Sequence, residues 1–223
     1  MDAVRPHEPT MEIPDHKPRN VGSNVYGAAR LELAKLVKAA LDATGVVWFL
    51  DGGTLLGAYR NGKQIPHDDD FDIAAYLPSY SGEQDLIALS RVLTRLVPAP
   101  YEIRPVTSYA SKLEIFDPAS TSYALPMPQY KAADYHTVTV DVQVMTNAPD
   151  GLVVYLHDML EHVRVPEDAT VPIGQIDCDG VAFNCPHHPA RFLQAQYGYI
   201  GADARYDKRT RMYVKEDAPS TGE

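Results

Sequence analysis

The sequence predicts an α+β fold in which helices pack mainly on one side of a mixed β-sheet. Three observations predict it. An amphipathic helical pattern comes first, two short β-branched segments then alternate with further helical patterns, and several strand-like segments follow in the second half. The 223 residues suit a single domain, and a hydrophobic fraction of 45% is enough to build a sizeable core.

The first half of the chain alternates helices with buried strands. Ser23 or Asn24 is expected to cap a helix that ends at Gly45, because the intervening apolar residues recur every three or four positions. Its predicted buried face consists of Tyr26, Ala29, Leu33, Leu36, Val37, Ala40 and Leu41. The segments that follow are a strand at 46–51, a loop entering a short helix at Thr54, a strand at 71–77 and a helix at about 82–97.

The second half is predicted to be mostly β-structure. The segment "TVTVDVQVM" (137–145) alternates cleanly between apolar and polar residues, which is typical of a strand. The stretch 117–134 contains three prolines and little periodicity, so it is expected to be a long loop. The other predicted elements are strands at 101–107, 112–116 and 151–157, a hairpin at 178–185 and a helix at about 189–197.

The predicted organisation is a flexible N-terminal arm (1–22), one domain (23–205) and a polar C-terminal tail (206–223). No apolar run approaches the ~20 residues that span a bilayer, and the first residues lack the apolar core of a signal peptide, so a cytoplasmic protein is expected. The net charge of −10 argues against a general nucleic-acid binder, which would carry a basic patch. Composition and charge leave the oligomeric state open.

An acidic segment, "IPHDDDFDIAAYLP" (65–78), leads directly into the second predicted strand. Asp70 and Asp72 are two residues apart, so their side chains point to the same face of a strand. Neighbouring carboxylates repel each other, and one pKa rises unless a cation lies between them. Mg²⁺ prefers a few carboxylates together with water and phosphate oxygens. The pattern indicates a metal site, and a solvated acidic turn is the alternative.

A third acid, Asp141, lies in the middle of the strand at 137–145. Strand alternation places it on one face with Thr139 and Gln143, while the valines of the segment take the other face. A polar face on a central strand of the sheet is where a metal site would lie. A solvent-facing edge strand would give the same pattern, so the residues alone leave both interpretations open.

The segment "DGGTLLGAYR" (51–60) has features of a phosphate site. Gly52 and Gly53 let the backbone come close to a ligand, and the start of the following helix offers unpaired N–H groups. Thr54 adds a hydroxyl and Arg60 a charged donor. The segment is not a P-loop, because no G-K-[ST] follows, and its glycines do not fit the dinucleotide fingerprint.

These features together carry a specific resemblance. A Gly-Gly-Thr on a short helix, a D-x-D on the next strand and an Asp on a later strand resemble the nucleotidyltransferase fold superfamily. The longer segment "FLDGGTLLGAYRNGKQIPHDDDFDI" (49–73) resembles the LicD/fukutin family of phosphotransferases, whose motif reads close to "GTLLGA-R…IPWDDD-D". The close match covers about 48–77, and weaker matches cover 136–145 and 181–198. The implied fold is a nucleotidyltransferase-like mixed sheet.

The resemblance implies roles for individual residues. Gly53 and Thr54 fall at the donor phosphate, with Gly52 and Arg60 nearby. Asp70 and Asp72 fall at the metal, and Asp141 falls at the third acidic position. Asp68 matches a further acid that would bind a second metal or the acceptor hydroxyl.

Two further residues are weaker candidates for substrate binding. His67 stands where the family usually has tryptophan, and it either contacts substrate or lies at an exposed rim. Lys112 would neutralise the charge of a nucleotide, and an exposed strand cation is the commoner alternative.

The implied activity is that of a metal-dependent enzyme of the EC 2.7 class. It would move an alcohol-phosphate unit, such as phosphocholine or ribitol phosphate, from a CDP-linked donor to a hydroxyl of a sugar or glycan, with Mg²⁺ or Mn²⁺ as cofactor. Its partners would be the nucleotide-linked donor and the hydroxyl acceptor. Two alternatives remain open: a nucleotidyltransferase that moves NMP from an NTP to a small molecule, and an inactive relative that binds a nucleotide.

Overall fold

The computed structural model describes residues 25–125, 133–207, 209–210 and 212–216. The predicted arm over 1–22 and the predicted caps Ser23 and Asn24 lie outside these residues, as does the end of the predicted tail. Within the described part the chain forms an α+β fold, as the sequence predicts.

The elements of the first half agree with the prediction to within a few residues, except at the start of the second helix. They are α1 (Gly27–Thr44), β1 (Val47–Leu50), α2 (Gly52–Asn61), β2 (Asp72–Tyr76), α3 (Glu83–Leu96), β3 (Glu102–Val106) and β4 (Lys112–Phe116). Helix α2 begins at Gly52 and not at Thr54, so both glycines belong to its first turn.

The elements of the second half include more strands than the sequence pattern predicts. They are β5 (Ser122–Leu125), β6 (Ala133–His136), β7 (Thr139–Asn147), β8 (Leu152–Tyr155), β9 (Arg164–Pro166), α4 (Glu167–Thr170), β10 (Gly174–Cys178), β11 (Val181–Cys185), α5 (Pro189–Tyr197), β12 (Ala204–Asp207) and β13 (Met212–Lys215). A short 3₁₀ turn, Asp158–Leu160, precedes β9.

Seven strands form one mixed sheet. Five of them lie in the order β1-β2-β7-β4-β3, β8 pairs with the end of β7, and β9 pairs with β8. Strands β2 and β7 are parallel, and the other pairs of this sheet are antiparallel. Strand β7 is therefore central, and the alternative that it is a solvent-facing edge strand is wrong. Helices α1 and α3 pack against each other. Helix α1 also packs on β7, and α3 packs on β3 and β4, so the two helices share one face of the sheet.

The core is built on the valine face of β7. Val140, Val142 and Val144 are essentially inaccessible to solvent, and full burial of one such side chain contributes about 1.5–3 kcal/mol. The opposite face of the strand, which carries Asp141, is buried as well. Because buried charges need partners or a cation, the polar face of β7 is the candidate location of a functional site.

Among the described residues, no helix combines the length and apolarity that a membrane span requires.

Helix α1 is rotated slightly from its predicted phase. Ala29 is exposed, and Arg30 takes the corresponding buried position. The guanidinium of Arg30 is tolerated there because its Nε donates to the Thr137 carbonyl at 2.9 Å and one terminal nitrogen donates to the Asp68 carbonyl at 2.8 Å. The hydrogen bond to the Asp68 carbonyl thereby links α1 to the acidic segment.

Two predicted irregular segments contain strands. The two ends of the predicted loop at 117–134 form the β5–β6 hairpin, in which the rings of Tyr123 and Tyr135 stack with centroids 5.8 Å apart. The segment predicted as a polar tail contains β13, which pairs with β12, so folded structure continues beyond residue 205. Both hairpins are formed by cross-strand pairs, which a local pattern in the sequence does not reveal.

Candidate active site

Three carboxylates meet on the polar face of the sheet. The parallel register of β2 and β7 places Asp72 opposite Asp141, and Asp70 lies two residues before Asp72. One carboxylate oxygen of each residue lies within 4.8 Å of the others, close enough to hold one metal ion. Asp68, Asp69 and Asp70 form a second acidic grouping, in which one carboxylate oxygen of each residue lies equally close to the others. The structure thus brings together the four predicted catalytic acids, and it adds Asp69.

The acid triad, defined as Asp70, Asp72 and Asp141, is electrostatically frustrated. Burial, followed by the charges of Asp141 and Asp68, raises the pKa of Asp70 to about 7. Burial and the neighbouring Asp70 raise the pKa of Asp72 well above its usual range. Burial also raises the pKa of Asp141, although Lys112 acts in the opposite direction. Such a cluster binds protons or a cation more strongly than separate carboxylates do.

The donor set fits a hard divalent cation. Among the described residues, Asp141 Oδ1 is a buried oxygen with no hydrogen-bond partner. An ionised oxygen left alone in the interior is costly, and a cation shared with Asp70 and Asp72 would remove that cost. Carboxylates with room for water and phosphate oxygens are the ligands that Mg²⁺ prefers.

The two glycines of α2 are required by the close approach of two acids. A Cβ on Gly52 would lie 2.3 Å from Asp72 Oδ2, and a Cβ on Gly53 would lie 2.2 Å from Asp68 Oδ2. Gly52 also has a φ of +56°, a conformation that disfavours other residues. The first turn of α2 therefore lies directly against the acidic segment.

Gly52→Ala is expected to lower turnover by about 10²-fold, because the new methyl group displaces the Asp72 carboxylate and small misplacements at a reacting centre have effects of this size. Gly45→Ala is the matched control: its φ is +73°, and nothing lies within 4 Å of its Cβ position. Both variants should lose about 1–2 kcal/mol of stability through backbone strain. Steady-state kinetics and thermal unfolding check this, and equal turnover in the two variants would contradict it.

Thr54 joins α2 to β2. Its hydroxyl oxygen accepts a hydrogen bond of 2.8 Å from the backbone N–H of Asp72, and its side chain is buried. The backbone N–H of Asp51 donates to the Asp72 carbonyl at 3.1 Å. Two hydrogen bonds therefore fix Asp72 relative to the start of the helix. The observed contact of Thr54 is with the backbone of Asp72, one of the three acids that meet on this face.

Arg60 and His67 lie apart from the triad. Arg60 is near the end of α2, about 10 Å along the helix axis from Gly53, and its guanidinium donates to the carbonyls of Ile200 and Gly201 at 2.9 and 2.7 Å. His67 lies exposed in the turn that precedes Asp68. The structure therefore does not bring Arg60 to the predicted phosphate site.

Lys112 is a buried partner of the triad. Its Nζ lies 2.5 Å from Asp141 Oδ2 and 3.1 Å from Glu114 Oε1, and the residue is only 4% exposed. Burial lowers its pKa, but the charges of Asp141 and Glu114 outweigh burial and raise the pKa well above the usual value. The alternative that Lys112 is an exposed strand cation is wrong. Its ammonium is held by protein carboxylates.

Asp51 is a further buried acid next to the triad, and it was not among the residues predicted from the sequence. Asp51 is 2% exposed, and its Oδ1 accepts a hydrogen bond of 2.5 Å from Tyr155 Oη. Burial raises the pKa of Asp51 to about 6, partly offset by the hydrogen bonds from Tyr155 and Gly52. Burial and then the charges of Asp72 and Asp51 raise the pKa of Tyr197 well above its usual value.

Some of the residues that were not predicted could have been recognised from the sequence, and others could not. Asp51 directly precedes the two glycines, which is the cap position of a helix and a usable signal. Arg30 lies in phase with the buried stripe of α1, which marks a charged residue with an internal role. Tyr155 and Tyr197 come from β8 and α5, and nothing in their local sequence distinguishes them from core tyrosines.

Comparison with known sequences gives a family match and a local match. A family model described as "LicD/FKTN/FKRP, nucleotidyltransferase domain" matches residues 45–188. Ribitol 5-phosphate transferase FKRP from Mus musculus and the same protein from Homo sapiens are each 50% identical to this chain over 46 residues. That segment is 21% of this chain and 9% of each relative, so it spans about a tenth of the curated relatives' length.

Comparison with solved structures gives more distant matches. The lincomycin-bound crystal structure of the lincosamide antibiotic adenylyltransferase LnuA has a TM-score of 0.42 and 14% identity, over 74% of this chain and 83% of that one. The structure of E. coli MS115-1 CdnC with ATP has a TM-score of 0.35 and 15% identity, over 63% of this chain and 42% of that one.

Proposed function

The chain belongs to the LicD/FKTN/FKRP nucleotidyltransferase-domain family, and on that basis we propose that it is a metal-dependent phosphotransferase of the EC 2.7 class. It moves an alcohol-phosphate unit, of the phosphocholine or ribitol-phosphate kind, from a CDP-linked donor to a hydroxyl of a sugar or glycan acceptor. The local match to ribitol 5-phosphate transferase FKRP supports an alcohol-phosphate donor.

The observation that carries the proposal is the meeting of Asp70, Asp72 and Asp141 within 4.8 Å at the start of α2. These three residues would hold Mg²⁺ or Mn²⁺. When bound, such a cation neutralises the charge that develops on phosphate oxygens in the transition state. The three carboxylates would fix the position of the cation relative to the start of α2.

The protein's own groups supply the remaining functions. The N–H groups of the first turn of α2, at Gly53 and Thr54, would bind the donor phosphate, because the start of a helix favours anions. Asp68 accepts the proton of the acceptor hydroxyl while the new P–O bond forms, because one oxygen of Asp141 is bonded to Lys112 and the other would hold the cation. The P–O bond to CMP breaks, and CMP leaves. A carboxylate suffices as the base, because such transition states are loose and depend mainly on position and charge.

One other transfer reaction uses the same residues. The family is described as a nucleotidyltransferase domain, so transfer of NMP from an NTP to a small molecule, with release of pyrophosphate, is the second candidate. The presence of the three acids and of the Gly-Gly-Thr segment speaks against an inactive relative that only binds nucleotide.

A ligand screen followed by product analysis tests the proposal. CDP-choline, CDP-ribitol, CDP-glycerol and the NTPs are each added with Mg²⁺, and thermal unfolding is recorded. A ligand at 100 times its dissociation constant stabilises the native state by about 2.7 kcal/mol, which raises the Tm of a chain of this size by roughly 5–10 °C. We expect a CDP-alcohol to produce this shift, and the NTPs to produce a smaller one.

Mass spectrometry of reactions with sugar acceptors then identifies the transferred group. The proposal predicts an acceptor that has gained the alcohol phosphate, together with free CMP. A nucleotide adduct with pyrophosphate would establish the second candidate instead. Binding of CDP-alcohols without turnover, across a broad acceptor set, would contradict both reactions.

A further inference from the structure

Four charged side chains of alternating sign cross three adjacent strands on the polar face of the sheet. This charge ladder consists of Asp141 on β7, Lys112 and Glu114 on β4, and Arg104 on β3. The register places Glu114 directly opposite both Asp141 and Arg104, and Lys112 lies two residues before Glu114 on the same face. The ladder therefore runs from the acid triad to the edge of the sheet.

The contacts within the ladder fix the ammonium of Lys112. Its Nζ lies 2.5 Å from Asp141 Oδ2 and 3.1 Å from Glu114 Oε1. Glu114 is in turn held by Arg104, whose Nε donates to Oε2 at 2.8 Å. The ring centroids of Tyr109 and Tyr135 lie 5.8 and 6.0 Å from the same Nζ. Carboxylates and aromatic rings thus surround a cation that has almost no access to solvent.

This arrangement makes the two oxygens of Asp141 inequivalent. Oδ2 is bonded to Lys112, whereas Oδ1 is buried and has no hydrogen-bond partner among the described residues. Asp141 offers an oxygen to the triad, and Oδ1 is the one that Lys112 leaves available. The carboxylate is therefore presented to the triad as a one-oxygen ligand.

We propose that Lys112 is a specificity-determining positioning residue, which by occupying one oxygen of Asp141 makes the site select Mg²⁺ over Ca²⁺. This inference depends on the proposed function, in which Asp141 is one of the metal ligands. Ca²⁺ takes six to eight oxygens and often uses both oxygens of a carboxylate, whereas Mg²⁺ takes six in near-octahedral geometry and keeps several waters. A carboxylate restricted to one oxygen penalises the larger ion.

Electrostatic repulsion does not account for the selectivity, because the two cations carry the same charge. The ammonium of Lys112 weakens the binding of both by a similar amount. The ratio of the two affinities therefore isolates the geometric effect of Lys112 on Asp141 from its charge. A residue that only stabilised the fold would leave this ratio unchanged.

The test compares Lys112→Met/Glu114→Gln with Glu114→Gln alone. The double variant removes one charge of each sign, so the net charge of the ladder is unchanged, and the carboxylate that loses its ammonium is Asp141, which a bound cation would neutralise. The control retains the Lys112–Asp141 bond. Calorimetric titrations with Ca²⁺ and with Mg²⁺, without donor, give the two dissociation constants. In the double variant Kd(Ca²⁺)/Kd(Mg²⁺) is expected to fall by about tenfold, which corresponds to 1.4 kcal/mol, and in the control it should stay near that of the wild type.

The possible outcomes separate this inference from the proposed function. Wild-type protein that binds neither cation would overturn both. Wild-type protein that binds Mg²⁺, with a ratio unchanged in the double variant, would overturn only the role of Lys112. An equal fall in the control would also overturn it, because the Lys112–Asp141 bond is intact there. Thermal unfolding monitors folding, and Lys112→Met/Glu114→Met, an apolar replacement of the pair, gives the same ratio test if the first double variant does not fold.

Discussion

Asp70→Asn is expected to lower the rate of transfer by roughly 10³-fold or more, since a bound cation supplies several kcal/mol of charge stabilisation and each 1.36 kcal/mol is a factor of ten. The change removes one of the three negative charges of the triad and replaces one carboxylate oxygen by an NH₂ group, and it keeps the shape of the side chain. Initial rates of CMP release from the CDP-alcohol measure the effect, and calorimetry with Mg²⁺ shows whether the cation is still bound.

Asp69→Asn is the matched control for this experiment. Asp69 is adjacent in sequence and forms the second acidic grouping with Asp68 and Asp70, but it is out of phase with the triad. We expect a much smaller loss than in Asp70→Asn, because Asp69 lies close to Asp68 and Asp70 but is not one of the three acids that meet at Asp141. Asp70→Asn at a near-wild-type rate would contradict the metal site, and a large loss in Asp69→Asn alone would move the site to the other grouping.

Without divalent cations, the protein is expected to lose stability as the pH rises through about 7. Burial and neighbouring acids raise the pKa of Asp70 to about 7, from an ordinary value of 3.8. Between these two values the folded state retains a proton that the unfolded state has released, so the free energy of unfolding falls with increasing pH. The slope is about 1.4 kcal/mol per pH unit for each proton retained.

Other groups contribute to the same profile, so a difference measurement is needed. Burial lowers the pKa of His157 to about 4, and this group makes the protein more stable as the pH rises from 4 toward 6.5. Thermal unfolding of the wild type and of Asp70→Asn, in EDTA from pH 5 to 8 at constant ionic strength, isolates the contribution of Asp70. The wild type should lose more stability than the variant, and Mg²⁺ should reduce the difference. Parallel profiles in EDTA would contradict the coupling within the triad.

Local sequence pattern was enough to predict most of the fold and the centre of the site. The two-residue spacing of Asp70 and Asp72 and the alternation around Asp141 depend only on the geometry of a strand, and the structure brings these residues together as expected. The family was also recognisable from the Gly-Gly-Thr and Asp-rich motifs within about 48–77, and the family model matches residues 45–188.

The surroundings of the site depend on contacts that a local pattern does not contain. The partners of Lys112 were not predictable, because the β4–β7 register determines which acids face it. Tyr155 reaches Asp51 from a strand that lies 104 residues away in sequence. The β5–β6 hairpin was not predicted, because the sequence of neither strand shows a periodic pattern of apolar residues. Only the pairing of the two strands defines it. Pair formation across the sheet, not propensity, determined these features.

The parallel β2–β7 pair has a consequence for how the protein folds. Asp72 and Asp141 face each other across this pair, although they are 69 positions apart in sequence. A long chain segment must be closed before they meet, and contacts of this kind form slowly. The repulsion between the acids is therefore absent from a partly folded chain, and so is the site for the cation. A divalent cation should thus act on the completed sheet, by slowing its unfolding more than by speeding its formation.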